Sequence, residues 1–396
     1  MSVIKLADQI YSVGVLNPSL RVFDIVMESR YGTSYNAYLI TGEKNVLVET
    51  VHSDFFDEYL QNIQSVVPVE KIDYLIMNHT EPDHSGSIAR LLQVCPNLTV
   101  VCTAAAHKYL QNITNRSYQV KVVKDGEELA LPGRTLRFLV SPMLHWPDSM
   151  FTYIPDTQTA FTCDFLGAHF CEPQMLDRHI RYPAAYEGEF AYYYNCIFGP
   201  FKPFVLSGLK KLEGLPIQMV CPSHGPVLVD FIPERMAQYE AWSQPAAKAG
   251  RKAVIAYATA YGYTGKIAES MFRAITERTD CSAVLVDMVK NPVADTAEKI
   301  AEADVLLVGA CTINRDAPGI VWDVLSRIDA VNTKGKAAGA FGSYGWSGEA
   351  GEMMRTRLQQ LKFSVPDEPY RVVFSPTEAD LAAAGDYAVR VVEMAK

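Results

Sequence analysis

The chain lacks any apolar run long enough to span a membrane, and its first eight residues lack the apolar core of a signal peptide. It has 36 lysines and arginines against 45 aspartates and glutamates, a formal net charge of -9 at pH 7. Because an acidic protein binds phosphate backbones poorly, we do not expect a nucleic acid as a partner. The lack of a membrane-spanning run leads us to expect no membrane as a partner.

The eight cysteines are scattered along the chain, and no two of them form a Cys-x-x-Cys pair. The sequence therefore encodes neither a zinc ribbon nor a rubredoxin-type iron site. Cysteines such as Cys163 and Cys311 stand alone in mostly apolar segments, which is typical of proteins from a reducing compartment. We expect the protein to be cytoplasmic.

The chain has 396 residues, which is enough for two or three domains. Of these residues, 49% are hydrophobic and 20% are charged, as is typical of a globular protein. Residues 1–248 show short strands and helices separated by turns, whereas residues 252–396 alternate five strands with five helices. That alternation predicts an open, doubly wound parallel sheet. The small and polar segment from Ser243 to Arg251 is the expected linker between a first domain, residues 1–248, and a second, residues 252–396.

The most informative segment is His79-Thr80-Glu81-Pro82-Asp83-His84, which directly follows the apolar run Tyr74-Leu75-Ile76-Met77. The apolar run predicts a buried strand, so four potential metal ligands stand at a strand end. Alternate residues of an extended segment face the same way, which lets His79 and Glu81 converge on one point. Pro82 favours a turn, after which Asp83 and His84 can serve a second point. The segment predicts a site for two metal ions.

Three further ligand candidates follow predicted strands of the first domain. His145 comes after the strand that ends at Val140, Asp164 ends the strand from Ala160, and His224 follows the strand from Ile217. Ligands at successive strand ends meet along one rim of a sheet. His52, His107, His169 and His179 have no comparable context, and we assign them no role.

The order of a His-x-Glu-x-Asp-His hexad, a later His, a later Asp and a final His resembles the metallo-β-lactamase fold, an αββα sandwich. Hydrolases of that fold usually carry His at the third position of the hexad, where this chain has Glu81. That substitution resembles the flavodiiron proteins, also called A-type flavoproteins, whose lactamase-like domain binds two irons. The resemblance covers nearly the whole chain, because those proteins continue into a flavodoxin-like domain.

The resemblance implies that one iron is bound by His79, Glu81 and His145 and the other by Asp83, His84 and His224, with Asp164 as the bridge. In some family members the histidine equivalent to His84 is turned aside, so its role stays open. The ligand chemistry also favours iron or manganese over zinc, because an additional carboxylate hardens the ligand set. The negative charges of three carboxylates and a bridging hydroxide would balance the positive charges of two ferrous ions.

A loop with two threonines joins the first strand and first helix of the second domain. Hydroxyl groups and the free N–H groups of a helix start form a cradle for a phosphate dianion. The chain has neither Gly-x-Gly-x-x-Gly nor a Walker A lysine here, and the loop instead resembles the flavodoxin phosphate loop. It holds one terminal phosphate, which implies FMN rather than FAD. The loop residues assigned to FMN are Thr259, Ala260, Tyr261, Gly262, Tyr263 and Thr264.

Two later loops also emerge at carboxyl ends of predicted strands, where doubly wound sheets bind ligands. In the family, such loops flank the isoalloxazine ring. Trp346 would contact the flavin, contact the iron pocket across a dimer, or serve packing alone. The residues assigned to FMN in these loops are Ala310, Cys311, Thr312, Ile313, Asn314, Ser343, Tyr344, Gly345, Trp346 and Ser347.

The tyrosines of the segment Ala191–Asn195 have two interpretations. Tyr193 and Tyr194 are candidate hydrogen-bond donors beside the irons, with Tyr194 and Trp346 as candidate catalytic residues. The alternative is that the segment is an aromatic part of the core.

The family reduces O2 to water or NO to N2O and forms head-to-tail dimers, so we expect a homodimer or a dimer of dimers. An external electron donor is implied, either rubredoxin or a reduced deazaflavin. One alternative is a dizinc hydrolase with a flavodoxin-like appendage, in which a metal-bound hydroxide attacks an ester, thioester or phosphodiester. Another is an electron carrier whose first domain only holds a structural metal.

Overall fold

The structure is a computed structural model that describes residues 3–245 and 250–395. The chain divides into two compact units, Met1–Pro245 and Ala246–Lys396. Of the expected linker, residues 246–249 lie outside the described residues, and Ser243 is the last residue of a helix.

The first unit consists of short strands and helices. Its strands are β1 (Ile4–Ala7), β2 (Ile10–Ser12), β3 (Val15–Asn17), β4 (Val22–Phe23), β5 (Met27–Glu28), β6 (Thr33–Tyr35), β7 (Tyr38–Ile40), β8 (Asn45–Val48), β9 (Ile72–Met77), β10 (Thr99–Cys102), β11 (Gln119–Val122), β12 (Glu128–Leu131), β13 (Arg134–Val140), β14 (Met150–Ile154), β15 (Thr159–Cys163) and β16 (Met219–Pro222). Its helices are α1 (Phe56–Gln64), α2 (Pro82–Ser85), α3 (Ile88–Val94), α4 (Ala104–Thr114), α5 (Pro183–Tyr193), α6 (Lys202–Leu212) and α7 (Ile232–Ser243).

Two sheets form the centre of the first unit. One has the order β1-β2-β7-β8-β9-β10-β11 and the other the order β12-β13-β14-β15-β16. Their facing sides share one apolar core, to which Val46, Val48 and Ile76 contribute from the first sheet and Phe138 and Phe161 from the second. Alternate residues such as Leu47 and Leu75 point to the opposite side and pack with α1 and α3.

Helices also cover the outer side of the second sheet. Phe151 and Val220 there pack with Phe190 of α5, Val205 of α6 and Tyr239 of α7. The layers of the first unit are therefore helix, sheet, sheet and helix, which confirms the predicted αββα sandwich.

The second unit alternates strands and helices. Its strands are β17 (Lys252–Ala258), β18 (Ser282–Asp287), β19 (Val305–Ala310), β20 (Ala337–Tyr344) and β21 (Tyr370–Val373). Its helices are α8 (Tyr263–Arg278), α9 (Val293–Glu302), α10 (Gly319–Ser326), α11 (Glu349–Gln360) and α12 (Glu378–Met394). The five strands pair in parallel in the order β18-β17-β19-β20-β21, with α8 and α12 on one face and α9, α10 and α11 on the other. The predicted doubly wound sheet is confirmed.

Strand β20 is longer than the sequence predicts. The sequence places Ser343 and Tyr344 in the loop after this strand, whereas pairing with β21 continues to Tyr344. Gly342 allows this, because a Cβ atom at that position would collide with the carbonyl oxygen of Ala310 on the neighbouring strand. Ser343 and Tyr344, expected in a loop, are therefore strand residues.

We expect Gly342→Ala to destabilise the second unit by ~1–3 kcal/mol, since the added methyl group meets a backbone atom that cannot move alone. The midpoint and slope of urea unfolding measure this change. Gly319→Ala is the matched control, because a Cβ atom there meets nothing within 4 Å, and we expect its effect to stay within ~0.5 kcal/mol. Equal stabilities of the two variants would show that the strand contact is not tight.

Candidate metal centre

All seven predicted metal ligands lie in one cluster at the ends of the strands of the first unit. His79 is the second residue after β9, and Glu81 directly precedes the short helix α2, which carries Asp83 and His84. Asp164 is the first residue after β15 and His224 the second after β16, whereas His145 lies between β13 and β14. Six of these side chains are buried, and that of His145 is 13% exposed.

The first group of ligands surrounds one carboxylate oxygen of Glu81. Oε2 of Glu81 lies 3.2 Å from Nε2 of His79 and 3.0 Å from Nε2 of His145. Oδ2 of Asp164 completes the group, 3.4 Å from Nε2 of His145 and 3.6 Å from Nε2 of His79.

The second group of ligands surrounds the other oxygen of Asp164. Oδ1 of Asp164 lies 3.1 Å from Nε2 of His84 and 3.5 Å from Nε2 of His224. The Asp83 carboxylate lies 3.3 Å from Nε2 of His84 and 3.0 Å from Nε2 of His224. Asp164 therefore presents one oxygen to each group, the arrangement of a carboxylate that bridges two cations.

The donor atoms are spaced as ligands of metal ions are. Two ligands that are each ~2.1 Å from an ion lie about 3.0–3.4 Å apart at octahedral or tetrahedral angles. Both oxygens of Asp83, Oδ1 of Asp164 and both ring nitrogens of His84 are buried and lack a hydrogen-bond partner. Because buried polar atoms without a partner are costly, the residues fit a pair of cations well.

The electrostatics of the cluster favour ionised carboxylates. Burial alone would raise the pKa of Asp164, but the neighbouring His84 and a hydrogen bond from His145 hold it well below its usual range. Burial would lower the pKa of His224, but the Asp83 carboxylate raises it to about 9. The pKa values of His79 and His145 are raised as well, so protons on these three imidazoles help to balance the carboxylates in the metal-free protein, and metal ions must displace them.

Two of the imidazoles are oriented through their second ring nitrogen. Nδ1 of His79 lies 3.4 Å from the buried carboxylate of Asp148, which also accepts hydrogen bonds from the backbone and side chain of Thr80. Nδ1 of His224 donates to the carbonyl oxygen of Ser34 at 2.7 Å. These contacts fix which nitrogen of each ring faces the cluster. The sequence predicted neither, although Asp148 follows His145 by three residues.

His169, to which the sequence assigned no role, lies beside the cluster. Its ring is 4.6 Å from that of His224 between centroids, and its Nδ1 atom is 2.8 Å from Oγ1 of Thr33. Asp24, at the tip of the β4–β5 hairpin, is a second residue that the sequence did not indicate. Burial and the nearby carboxylates of Glu81 and Asp83 raise the pKa of Asp24 to about 6.

The two candidate tyrosines lie in different surroundings. The ring of Tyr193 is 4.9 Å from that of His169 and 6.1 Å from that of His224. The hydroxyl of Tyr194 instead hydrogen-bonds to Oγ of Ser243 at 2.7 Å, and its ring packs on Tyr239 and Trp242. Tyr193 therefore borders the cluster, whereas Tyr194 contacts Ser243, Tyr239 and Trp242 in an aromatic part of the core.

The threonine loop of the second unit has free donors for a phosphate. Gly262, with a φ of 83°, directly precedes α8, whose first N–H groups have no side-chain cap. Oγ1 of Thr259 accepts from the amide of Gly262 at 3.0 Å, and Oγ1 of Thr264 accepts from the amide of Ser343 at 3.3 Å. Each hydroxyl keeps its proton for donation, so this donor set fits a phosphate dianion. Ala260, Tyr261 and Tyr263 complete the loop.

The other two loops that the sequence predicts to bind FMN follow β19 and β20 at the same edge of the parallel sheet. Ala310 ends β19 and is followed by Cys311, Thr312, Ile313 and Asn314, while Ser343 and Tyr344 end β20 and are followed by Gly345, Trp346 and Ser347. The bond between Ser343 and Thr264 joins this edge to the phosphate loop. The amide of Ala350 donates to Oγ1 of Thr312 at 3.4 Å, which joins the two later loops. Trp346 is 98% exposed.

Two protein families match successive parts of the chain. The family described as ODP family beta lactamase matches residues 33–225, and the flavodoxin family matches residues 255–386. The chain is 47% identical to the flavo-diiron protein FprA2 of Clostridium acetobutylicum over 97% of either chain.

Solved structures resemble the whole chain as well. The rubredoxin oxygen:oxidoreductase of Desulfovibrio gigas is 29% identical, with a TM-score of 0.70 over 99% of this chain and 98% of that one. The flavodiiron protein of Giardia intestinalis is 27% identical, with a TM-score of 0.68 over 100% and 97%. The protein belongs to the flavodiiron proteins, oxidoreductases that reduce O2 or NO at a diiron centre with electrons passed through FMN.

Proposed function

We propose that this chain preferentially reduces O2 to water and that rubredoxin is its electron donor. His79, Glu81 and His145 bind one iron, Asp83, His84 and His224 bind the other, and Asp164 bridges them. The observation that carries this assignment is the position of Asp164, whose two oxygens face separate groups of imidazoles. The likeness to the rubredoxin oxygen:oxidoreductase of Desulfovibrio gigas supports the substrate and the donor.

His84 belongs to the ligand set in this proposal. Its Nε2 atom lies 3.1 Å from Asp164 and 3.3 Å from Asp83, so the ring faces the second group of ligands. This position supports ligation by His84 in this chain.

The hydrolase alternative is not favoured, because the relatives are flavodiiron proteins and Glu81 takes the place of a histidine. When bound, the two irons supply electrons and coordination positions for a diatomic substrate, and FMN supplies electrons singly. The chain itself holds the ligands and keeps water away from them. Trp146 packs edge-on against His79, and Phe198 and Phe201 pack against His145.

Each unit exposes apolar side chains beside its site, which supports a head-to-tail homodimer, alone or as a dimer of dimers. Ile25 and Val26 next to Asp24 are 94% and 83% exposed. Tyr261 and Trp346 of the FMN loops are 88% and 98% exposed. In such a dimer the FMN loops of one chain would cover the metal centre of the other.

The protein is proposed to act in the cytoplasm. All eight cysteines are unpaired, which suits a reducing compartment. Among residues 3–245 and 250–395, no helix has both the length and the apolar character needed to cross a membrane.

We expect Glu81→His to lower iron occupancy and reductase activity while FMN stays bound, because Glu81 is the hard donor between His79 and His145. Elemental analysis, the flavin spectrum and O2 consumption measure the three effects. Glu43→His, an exposed residue in the β7–β8 turn, is the matched control and should change none of them. Unchanged iron content and turnover in Glu81→His would overturn the ligand assignment.

Replacing both Thr259 and Thr264 by alanine should weaken FMN binding at least about tenfold and leave the irons in place, because two hydroxyl donors to a charged group are lost. Fluorescence titration of the FMN-free protein gives the affinity, and iron analysis gives the metal content. Thr276→Ala is the control, since its hydroxyl donates within α8, to the carbonyl oxygen of Phe272. A double variant that loses iron as well would mean that the two units depend on each other.

Substrate and donor are tested together by adding either O2 or NO to purified protein that has been kept under anaerobic conditions. Reduced rubredoxin should support consumption of O2 at a higher rate than consumption of NO. Reduced deazaflavin should support little turnover in its place. Faster consumption of NO than of O2 would reverse the proposed substrate preference. Turnover that occurs with reduced deazaflavin but not with reduced rubredoxin would exclude rubredoxin as the donor. Reduced protein that consumes neither gas would indicate an electron carrier.

A further inference from the structure

A cysteine lies against the metal centre although the ligand set does not include it. Cys163 is the last residue of β15, immediately before Asp164, and its side chain is buried. Pairing of β15 with β16 shifts register between Phe161 and Cys163, and Cys163 has a φ of 53°. Adjacent side chains of a regular strand point to opposite sides, but this irregular backbone lets Cys163 and Asp164 reach the same cluster.

The sulfur has two metal-binding neighbours. Sγ of Cys163, a ring nitrogen of His84 and a carboxylate oxygen of Asp164 all lie within 4.8 Å of one another. All three residues are buried.

His84 lacks an outer contact of the kind that His79 and His224 have. Nδ1 of His79 lies 3.4 Å from the Asp148 carboxylate and Nδ1 of His224 donates to Ser34, whereas Nδ1 of His84 is buried with neither an ion pair nor a hydrogen bond. His84 can therefore turn towards the sulfur without breaking a hydrogen bond.

We propose that Cys163, His84 and Asp164 form a coordination site for a thiophilic divalent cation, of which Zn²⁺ is the biological example. This inference rests on the proposed assignment of His84 and Asp164 to a metal. Sulfur, imidazole and carboxylate are all zinc donors, and a tetrahedral zinc accepts such a mixed set. Thiolate ligands favour soft cations, so the sulfur shifts the preference of this site from ferrous iron towards zinc.

When a cation binds at this site, it takes the place of a proton. The cation replaces the thiol proton of Cys163, which leaves to solvent, and no electron is transferred. Zinc bound here takes His84 and Asp164 away from the irons. The site thus gives zinc a route by which it excludes iron from the second group of ligands.

The direct test is X-ray absorption at the zinc edge, on full-length wild-type protein that has been stripped of metal and loaded with Zn²⁺ alone. We expect a sulfur neighbour at ~2.3 Å from zinc, in addition to nitrogen and oxygen neighbours at ~2.0–2.1 Å. Nitrogen and oxygen neighbours alone would overturn the proposal. Protein that binds no metal of any kind would instead overturn the proposed function.

Cobalt(II) and variants provide the second test. Cobalt-loaded wild-type protein should show a thiolate-to-cobalt absorption band in the near ultraviolet, and the Cys163→Ser variant should lack this band. The affinity of Cys163→Ser for zinc should also be about tenfold or more below that of the wild type. Cys163→Asn is a second variant, because asparagine tolerates a positive φ. Cys221→Ser, which changes a buried cysteine of the adjacent strand β16, is the matched control and should keep the band. Identical cobalt spectra for wild type and both Cys163 variants would contradict the proposal.

Discussion

Three carboxylates, those of Glu81, Asp83 and Asp164, lie buried among four imidazoles at one end of the αββα sandwich. Buried anions are tolerated only when positive charge compensates them, and several of these donor atoms have no hydrogen-bond partner. Two metal ions meet that requirement directly. The strands and helices around the cluster serve to hold these mutually repelling carboxylates at ligand distance. Three of the seven candidate ligands, His79, Asp164 and His224, stand within two residues of a strand end.

Contacts around the cluster fix the orientation of some imidazole rings and leave another free to turn. Asp148 and the carbonyl oxygen of Ser34 orient His79 and His224, so the same nitrogen of each ring faces the cluster of candidate ligands. His84 has no such contact and lies next to a sulfur atom. The second group of ligands is therefore the more adaptable one, and it is the group at which a competing metal is expected to enter.

The sequence predicted the two folds and the positions of the seven ligand candidates because their signals are local. The hexad from His79 to His84 is contiguous, and each later ligand follows a strand with a strong apolar pattern. Strands β1–β6, β11, β12 and β14 were not predicted. Eight of these nine strands have only two to four residues, which are too few positions for a clear periodic pattern.

The contacts around the ligands were also not predictable, because they join distant parts of the chain. Thr33 reaches His169 across 136 residues, and Asp148 reaches Thr80 across 68. The inward position of Cys163 depends on a register shift and a positive φ, neither of which has a signal in the sequence.

The central claim is that one chain holds a diiron centre and FMN, and cofactor content tests it most directly. Protein purified from iron-replete cells should contain about two irons and one FMN per chain, by elemental analysis and visible spectrum. Two zincs per chain beside bound FMN, with no iron, would contradict the account and return the hydrolase interpretation.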